Sequence, residues 1–319
     1  MNSFNTGKNP KWIYYLKSYS SLLIPNYFFQ RKLNSKLEKA KQRDDYQKIL
    51  ARVDYYNKLN LNYDIKKGVK IKNFKLKDAV NKVYFFDSYE YLRYFNPAFR
   101  FSHEFGDITY IPKKPSILKS RPVEGNNHNS ILLKLNKVRH FIKVTDQLEF
   151  QDKENKLFFR GKVGNKKQRE LFFKMYFNHP MCNLGDTDSR SNGPKAWKTP
   201  KTNIYNFLNY KFILAIEGND VGSNLKWVMS SNSIAVMPKP TYETWFMEGQ
   251  LLPNIHYIEI KPDFSDLEEK LNYYINNPLE AEQIITNANN YVKEFWDKDK
   301  EDIISLLVLK KYFEKTNQM

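Results

Sequence analysis

One cysteine in 319 residues, Cys182, has no partner for an internal disulfide, which excludes a disulfide-stapled secreted scaffold and suits a reducing compartment. No run approaches the roughly 18 apolar residues of a membrane span. The opening "MNSFNTGKNPKWIYYLKSYSSLL" has neither a clean apolar core nor a small-residue cleavage site, so no signal peptide is read there. Internal repeats and low-complexity tracts are absent. So are the Walker pattern and the dinucleotide fingerprint. His128, His179 and His256 lack metal-ligand spacing. A cytosolic protein, free or held at a membrane surface, is expected.

What is present suits two domains of ordinary size. Hydrophobic residues at 41% and aromatics at 16% exclude a disordered chain. The formal charge of +17 is uneven: residues 1–100 hold 21 Lys/Arg against 8 Asp/Glu, and the remaining residues hold 31 against 27. Such a basic first third suits an anionic partner, whether a phosphorylated glycolipid, an acidic membrane face or nucleic acid. Surface lysines that only keep the protein soluble are the plain alternative.

Along the chain, "WIYYLKSYSSLLIPNYFF" from Trp12 is aromatic, basic and broken by Pro25. It reads either as a helix packed on its own domain or as a segment for a membrane interface. Tyr46, Ile49, Leu50, Val53 and Tyr56 have helical spacing. "KVYFFD", Lys82 to Asp87, reads as a strand ending in a carboxylate. The irregular, proline-rich "FRFSHEFGDITYIPKKPSILKSRP" carries Lys113, Lys114, Lys119 and Arg121, and long irregular segments are often functional. "SILLKLNKVRHFI" reads as a helix. From "KLFFRGKVG" onward strands and helices alternate over short connections, which predicts an α/β fold with a parallel sheet and helices on both faces. The expected domains are 1–155 and 156–319, the second binding a nucleotide.

Two strand–turn–helix junctions place glycine beside cations. The first is Phe159-Arg160-Gly161-Lys162 and the second Val221-Gly222-Ser223-Asn224-Leu225-Lys226. Backbone amides, a glycine permitting close approach and a positive charge make a construction for phosphate or diphosphate.

"FFRGK", "CNLG", "YKFILAIEGNDVGSNLKWVMSSNSIAVMPKPTYETWF" and "HYIEIKPDFSDLEEKL" together resemble glycosyltransferase family 90, and most closely its bacterial lipopolysaccharide-core branch. The resemblance runs from about Tyr84 to about Phe295. It implies a GT-B architecture, two Rossmann-like domains facing a cleft. It also implies an inverting transfer of a hexose from a UDP-sugar to a lipid A-core oligosaccharide at the cytoplasmic face of an anionic membrane, with no nucleic-acid partner. Arg160 corresponds to the arginine that contacts the donor diphosphate, flanked by Gly161 and Lys162. Gly222, Asn224 and Lys226 fall in the later donor motif. Lys226 stands where the family carries arginine, so it supplies a point charge without the bidentate fork. Glu243 of "YETWF" corresponds to an acidic position suited to a ribose contact. The family's order, a strand-end aspartate before an aromatic-serine segment, makes Asp87 the expected general base and Ser102 a donor-site neighbour, with His103, Glu104 and Asp107 as rivals.

The implied chemistry needs a base for the acceptor hydroxyl and positive groups for the departing diphosphate, and such donors can replace a metal. No cofactor or tightly bound metal is expected. The Asp-x-Asp of "GDTDSR", Asp186 and Asp188, is the site that would hold a divalent cation in a metal-dependent glycosyltransferase. A basic nucleic-acid-binding protein explains charge and aromatics but not the alternating second half. A catalytically silent relative would bind UDP without turnover.

Overall fold

The computed structural model describes residues 7–79 and 81–319. They form an α/β protein with two compact units interleaved in sequence. Of the described residues, one unit comprises those within Met1–Asn9, Arg139–Thr241 and Glu248–Glu294; the other comprises those within Pro10–Val138, Tyr242–Met247 and Phe295–Met319.

The first unit is built on a five-stranded, all-parallel sheet. Its strands are β1 (Glu154–Gly161), β2 (Cys182–Asp186), β3 (Tyr210–Leu214), β4 (Ile234–Met237) and β5 (Ile258–Glu259). The spatial order is β5-β4-β3-β1-β2. That is the doubly wound order 2-1-3-4-5, whose direction reverses between β1 and β3. Central strands covered on both faces need continuous apolar runs rather than alternation. "FIL" of β3 and "IAVM" of β4 supply them, every residue buried. Alternation along β1 divides its aromatics. Phe159 joins Phe172 and Phe173 in a core completed by Phe264, Leu271 and Ile284, under the helices Lys167–Tyr176, Leu267–Asn276 and Pro278–Lys293. Phe158 faces the other way, stacked on Tyr210 at 4.3 Å and edge-on to Phe207 of the short helix Ile204–Phe207 at 4.8 Å.

The second unit gathers the helices Lys11–Leu22, Asn26–Lys41, Tyr46–Tyr56, Lys82–Leu92 and Lys298–Lys315 around three two-stranded sheets. Its interior is partly ionic. Glu301 takes Arg52 Nη1 at 2.7 Å, Lys134 Nζ at 2.8 Å and the indole N–H of Trp245 at 2.5 Å. Arg121, fully buried, pairs with Glu243 at 2.8 Å.

Two expectations are corrected in this unit. "KVYFFD" is not a strand: it opens the helix Lys82–Leu92, and the Asn81 side chain caps it by accepting from Val83 N at 3.1 Å. Residues Val83 to Ser88 are all buried, and a helix apolar all round has no 3.6-residue period to betray it. Conversely, "SILLKLNKVRHFI" is not one helix. Ser130–Leu132 is a strand paired in parallel with Ser116–Leu118; Asn136 then turns the chain at φ 57° before a single helical turn, Lys137–His140.

Candidate active site

In an open α/β sheet, ligands sit beyond the carboxyl ends of the strands at the reversal point. Here that point lies between β1 and β3, so the two glycine-containing junctions read from the sequence meet there. A side chain not anticipated, Arg169, ties them together. Its guanidinium donates to Glu217 O (3.0 Å) and Ile216 O (2.9 Å) of the loop after β3, and to Lys162 O (2.8 Å) of the loop after β1. Burial, and secondarily the charge of Arg139, pull its pKa down to about 10, which leaves it charged at neutral pH. Lys166 adds a second strap by donating to the Asn219 side chain.

The second loop is also held from within. Asn224 Nδ2 donates to Leu214 O at 2.9 Å. A Cβ on Gly222 would come within 2.4 Å of the Ala215 carbonyl oxygen, so only glycine lets the loop fold back on the end of β3. The helix that follows, Leu225–Val228, is a single turn and lends little dipole to an anion.

The cations expected to face a diphosphate are placed differently from one another. Lys162 is exposed at the mouth of β1, 3.4 Å from Asp188. Arg160, half-buried, lies across β2: it donates to Phe159 O (2.8 Å), Asn183 O (2.9 Å) and Asn183 Oδ1 (2.6 Å), 4.4 Å from the centre of the Phe158 ring. Its stem covers Gly185, where a Cβ would meet Arg160 Cδ at 2.8 Å. Lys226 does not reach the mouth. It is 1% exposed and ion-paired at 2.7 Å with the equally buried Glu248.

The remaining expected residues lie in the other unit. Glu243, 1% exposed, sits in the strand Tyr242–Thr244 opposite Arg121 and also accepts from the Tyr55 hydroxyl, so its carboxylate is committed to internal partners. Ser102 donates its backbone N–H to Tyr312 Oη at 3.0 Å, while its own hydroxyl is buried without a hydrogen-bond partner. Asp87 lies in mid-helix, 1% exposed, accepting from Tyr14 Oη at 2.9 Å and from Lys137 N at 3.0 Å. Burial raises its carboxyl to about 6, against the opposing pull of Lys137. Of the rivals, Asp107 is exposed, 2.5 Å from the buried Lys119. Glu104 accepts from Tyr110 Oη at 2.6 Å. His103 stacks on Phe105 at 4.2 Å, its pKa lowered by burial.

Asp186 is buried and acts as a staple. One oxygen accepts from Val163 N (3.2 Å) and Asp188 N (3.0 Å); the other accepts from Ser191 Oγ (2.6 Å) and Lys198 Nζ (2.7 Å). Those donors lower its pKa against the effect of burial. With both oxygens holding the loop after β2, the Asp-x-Asp sequence has a structural account. Among the described residues no group of three or more His, Cys, Asp or Glu side chains is placed to hold a metal ion. Burial pushes the Cys182 thiol up to about 12, which leaves it unreactive. Beside the loop after β1, a cavity of about 330 Å³ is lined by Asn165, Lys174, Asn192 and Trp197 among others.

The family model for glycosyl transferase family 90 matches residues 129–314. The chain is 40% identical over 266 residues to O-glucosyltransferase LpsA of Dichelobacter nodosus, covering 83% of this chain and 82% of that protein. It is 24% identical over 168 residues to protein O-glucosyltransferase 3 of Rattus norvegicus, covering 51% of this chain and 33% of that one. Over 151 residues it is 24% identical to protein O-glucosyltransferase 2 of Danio rerio, covering 45% and 29%.

Proposed function

The chain belongs to glycosyltransferase family 90, and on that premise we propose that this transferase moves a hexose from a UDP-sugar, with inversion, onto a core sugar of a lipopolysaccharide or lipooligosaccharide. The GT-B class is part of the same reading. The observation that carries it is the meeting of two glycine-containing loops at the reversal point of a parallel sheet, fixed by Arg169. The likeness to O-glucosyltransferase LpsA supports glucose as the first donor to test.

In the proposed reaction an acceptor oxygen attacks the anomeric carbon in line and gives its proton to a carboxylate. The bond from that carbon to the diphosphate oxygen breaks, and its electron pair leaves with UDP. Charge therefore grows on the diphosphate in the transition state, and prealigned donors there lower the barrier most. Lys162 is the donor assigned to it, with Arg160 joining when it leaves Asn183. Lys226 and Glu243 act through the positions of their elements, since both are buried in ion pairs. Asp107, an exposed residue whose carboxylate pairs with Lys119, is the first base to test. Asp87 would need Tyr14 to swing away first. An acceptor of this kind is membrane-anchored, which places the work at an anionic cytoplasmic face.

The experiment is UDP binding by calorimetry in the wild type and in Arg160→Ala, followed by turnover of UDP-glucose in both. Loss of one charge-assisted contact should weaken UDP by roughly 10- to 100-fold, equivalent to about 1.5–3 kcal/mol. Equal affinity in a folded Arg160→Ala protein would remove Arg160 from the donor site, and absence of UDP binding by the wild type would overturn the donor assignment.

A further inference from the structure

The helix Lys11–Leu22 buries none of its residues. Its inner side is tied down: Tyr15 and Tyr19 meet Phe86 edge-on at 6.2 and 5.0 Å, and Tyr14 bonds Asp87. Yet Trp12, Leu16 and Leu23 recur at i, i+4 and i+11, along one side of the helix and its end, and all three are exposed. Leu23 is 84% exposed and Trp12 69%. The stripe runs on through Ile24 and into Tyr27 and Phe28 at the start of the next helix, which are also exposed. A continuous apolar surface of this kind marks an interaction site.

The turn at its tip is built to stay where it is. Arg93, 1% exposed, grips the turn from beneath: it donates to Ser21 O at 2.8 Å, to Asn26 Oδ1 at 3.0 Å and to Ile24 O, with its guanidinium 3.8 Å from the centre of the Phe29 ring. Hydrogen bonds and a ring contact from one buried cation hold Leu23 and Ile24 outward.

Charge decides what covers this surface. From Pro10 to Leu37 there are five cations, Lys11, Lys17, Arg31, Lys32 and Lys36, and no carboxylate. Lys11, Lys17, Arg31 and Lys32 are exposed, and Arg31 lies along Tyr27, its Nη1 3.0 Å from that hydroxyl. Exposed aromatics and aliphatics at the turn between two helices, with four exposed cations in the same segment and one of them, Arg31, over the Tyr27 ring, match the interface of an anionic bilayer.

The geometry points to the Trp12–Phe28 segment as a docking surface for an anionic phospholipid bilayer, with Leu23 and Ile24 entering the acyl boundary and Lys11, Lys17, Arg31 and Lys32 meeting the headgroups. This deepens the membrane-face part of the proposed function, but its test stands apart from catalysis. No helix among the described residues is long and apolar enough to cross a membrane, so contact of this kind is interfacial.

Full-length protein is sedimented with vesicles of phosphatidylcholine alone or of phosphatidylcholine with phosphatidylglycerol, at two salt concentrations. The expected result is binding to the phosphatidylglycerol vesicles only, weakened by salt, with a blue shift of tryptophan emission that Trp12→Phe removes. Leu23→Glu with Ile24→Glu, both surface positions, should abolish it, and each of Lys17→Ala, Arg31→Ala and Lys32→Ala should cost about fivefold. UDP affinity in solution should be unchanged in every one of these variants. That separates failure of the docking surface from failure of the donor assignment. Wild-type protein left in the supernatant with phosphatidylglycerol vesicles overturns the proposal. So does unaltered binding by the double glutamate variant, or a wild-type dimer that this variant splits, which would assign the surface to self-association.

Discussion

Replacing Lys226 by methionine separates two accounts of the "GSNLKW" loop. If Lys226 served the diphosphate, its loss would weaken UDP and leave the fold alone. Its position says otherwise: Lys226 and Glu248 are each 1% exposed and 2.7 Å apart, in a unit whose central strands are buried on both faces. Removing one member of a buried pair strands the other charge, at a cost of about 3–5 kcal/mol. Methionine keeps the length and most of the volume of the lysine stem, so little of that cost is packing. Against a typical domain stability of about 5–15 kcal/mol, the loss should be plain in the urea midpoint. Adding Glu248→Gln removes the stranded charge and should recover more than half of the loss. The assay is urea unfolding of wild type, Lys226→Met, Glu248→Gln and the double variant, with UDP calorimetry on the folded proteins. An unmoved midpoint in Lys226→Met together with lost UDP affinity would refute the structural role and restore the diphosphate contact.

Three further outcomes are expected. Asp87, with its carboxyl raised to about 6 from 3.8, favours the fold most when protonated. Its contribution is full below pH 3.8 and fades as pH rises through about 6, by roughly 3 kcal/mol in all. Asp87→Asn should therefore flatten the fall in stability between pH 4 and 7 seen in denaturant titrations of the wild type, and an identical pH profile would contradict the burial account. Asp186→Asn should lower thermal stability through the loop after β2 and leave any dependence on divalent cations as it is in the wild type; a changed cation dependence would return the Asp-x-Asp pair to metal binding. Gly222→Ala should displace the loop after β3, because its Cβ meets the Ala215 carbonyl oxygen at 2.4 Å. UDP affinity should fall at least tenfold with a smaller change in melting temperature, and unchanged affinity would detach that loop from the donor.

The parallel sheet was legible because its strands carry their own signatures. "FIL" and "IAVM" are short apolar runs bounded by polar turns, and short connections between them and their helices leave few topologies open. The two glycine junctions were legible for the same reason: the first ends one strand and the second lies in the loop after another. The sheet order then made them neighbours, a fact no single junction contains. Arg169 was not legible. It is one of several cations in "NKKQREL", and only the approach of the loop after β3, some fifty residues away, distinguishes it from the lysines beside it. Lys226 and Glu243 have partners that the sequence could not show, for a related reason. A lysine near a helix start and a glutamate near an aromatic pair look available in sequence, yet each meets an oppositely charged partner brought in by the fold, Glu248 for one and Arg121 for the other. Asp87 joins them, since burial on every side erased the period that would have marked its helix. Charged residues inside a fold carry the least local signal of all, because what neutralises them is tertiary. Exposed ones are different. Trp12, Leu16 and Leu23 are spaced as a core-facing stripe in sequence, and the helix turns that stripe outward. Periodicity tells which residues share a face; only packing tells which face is covered.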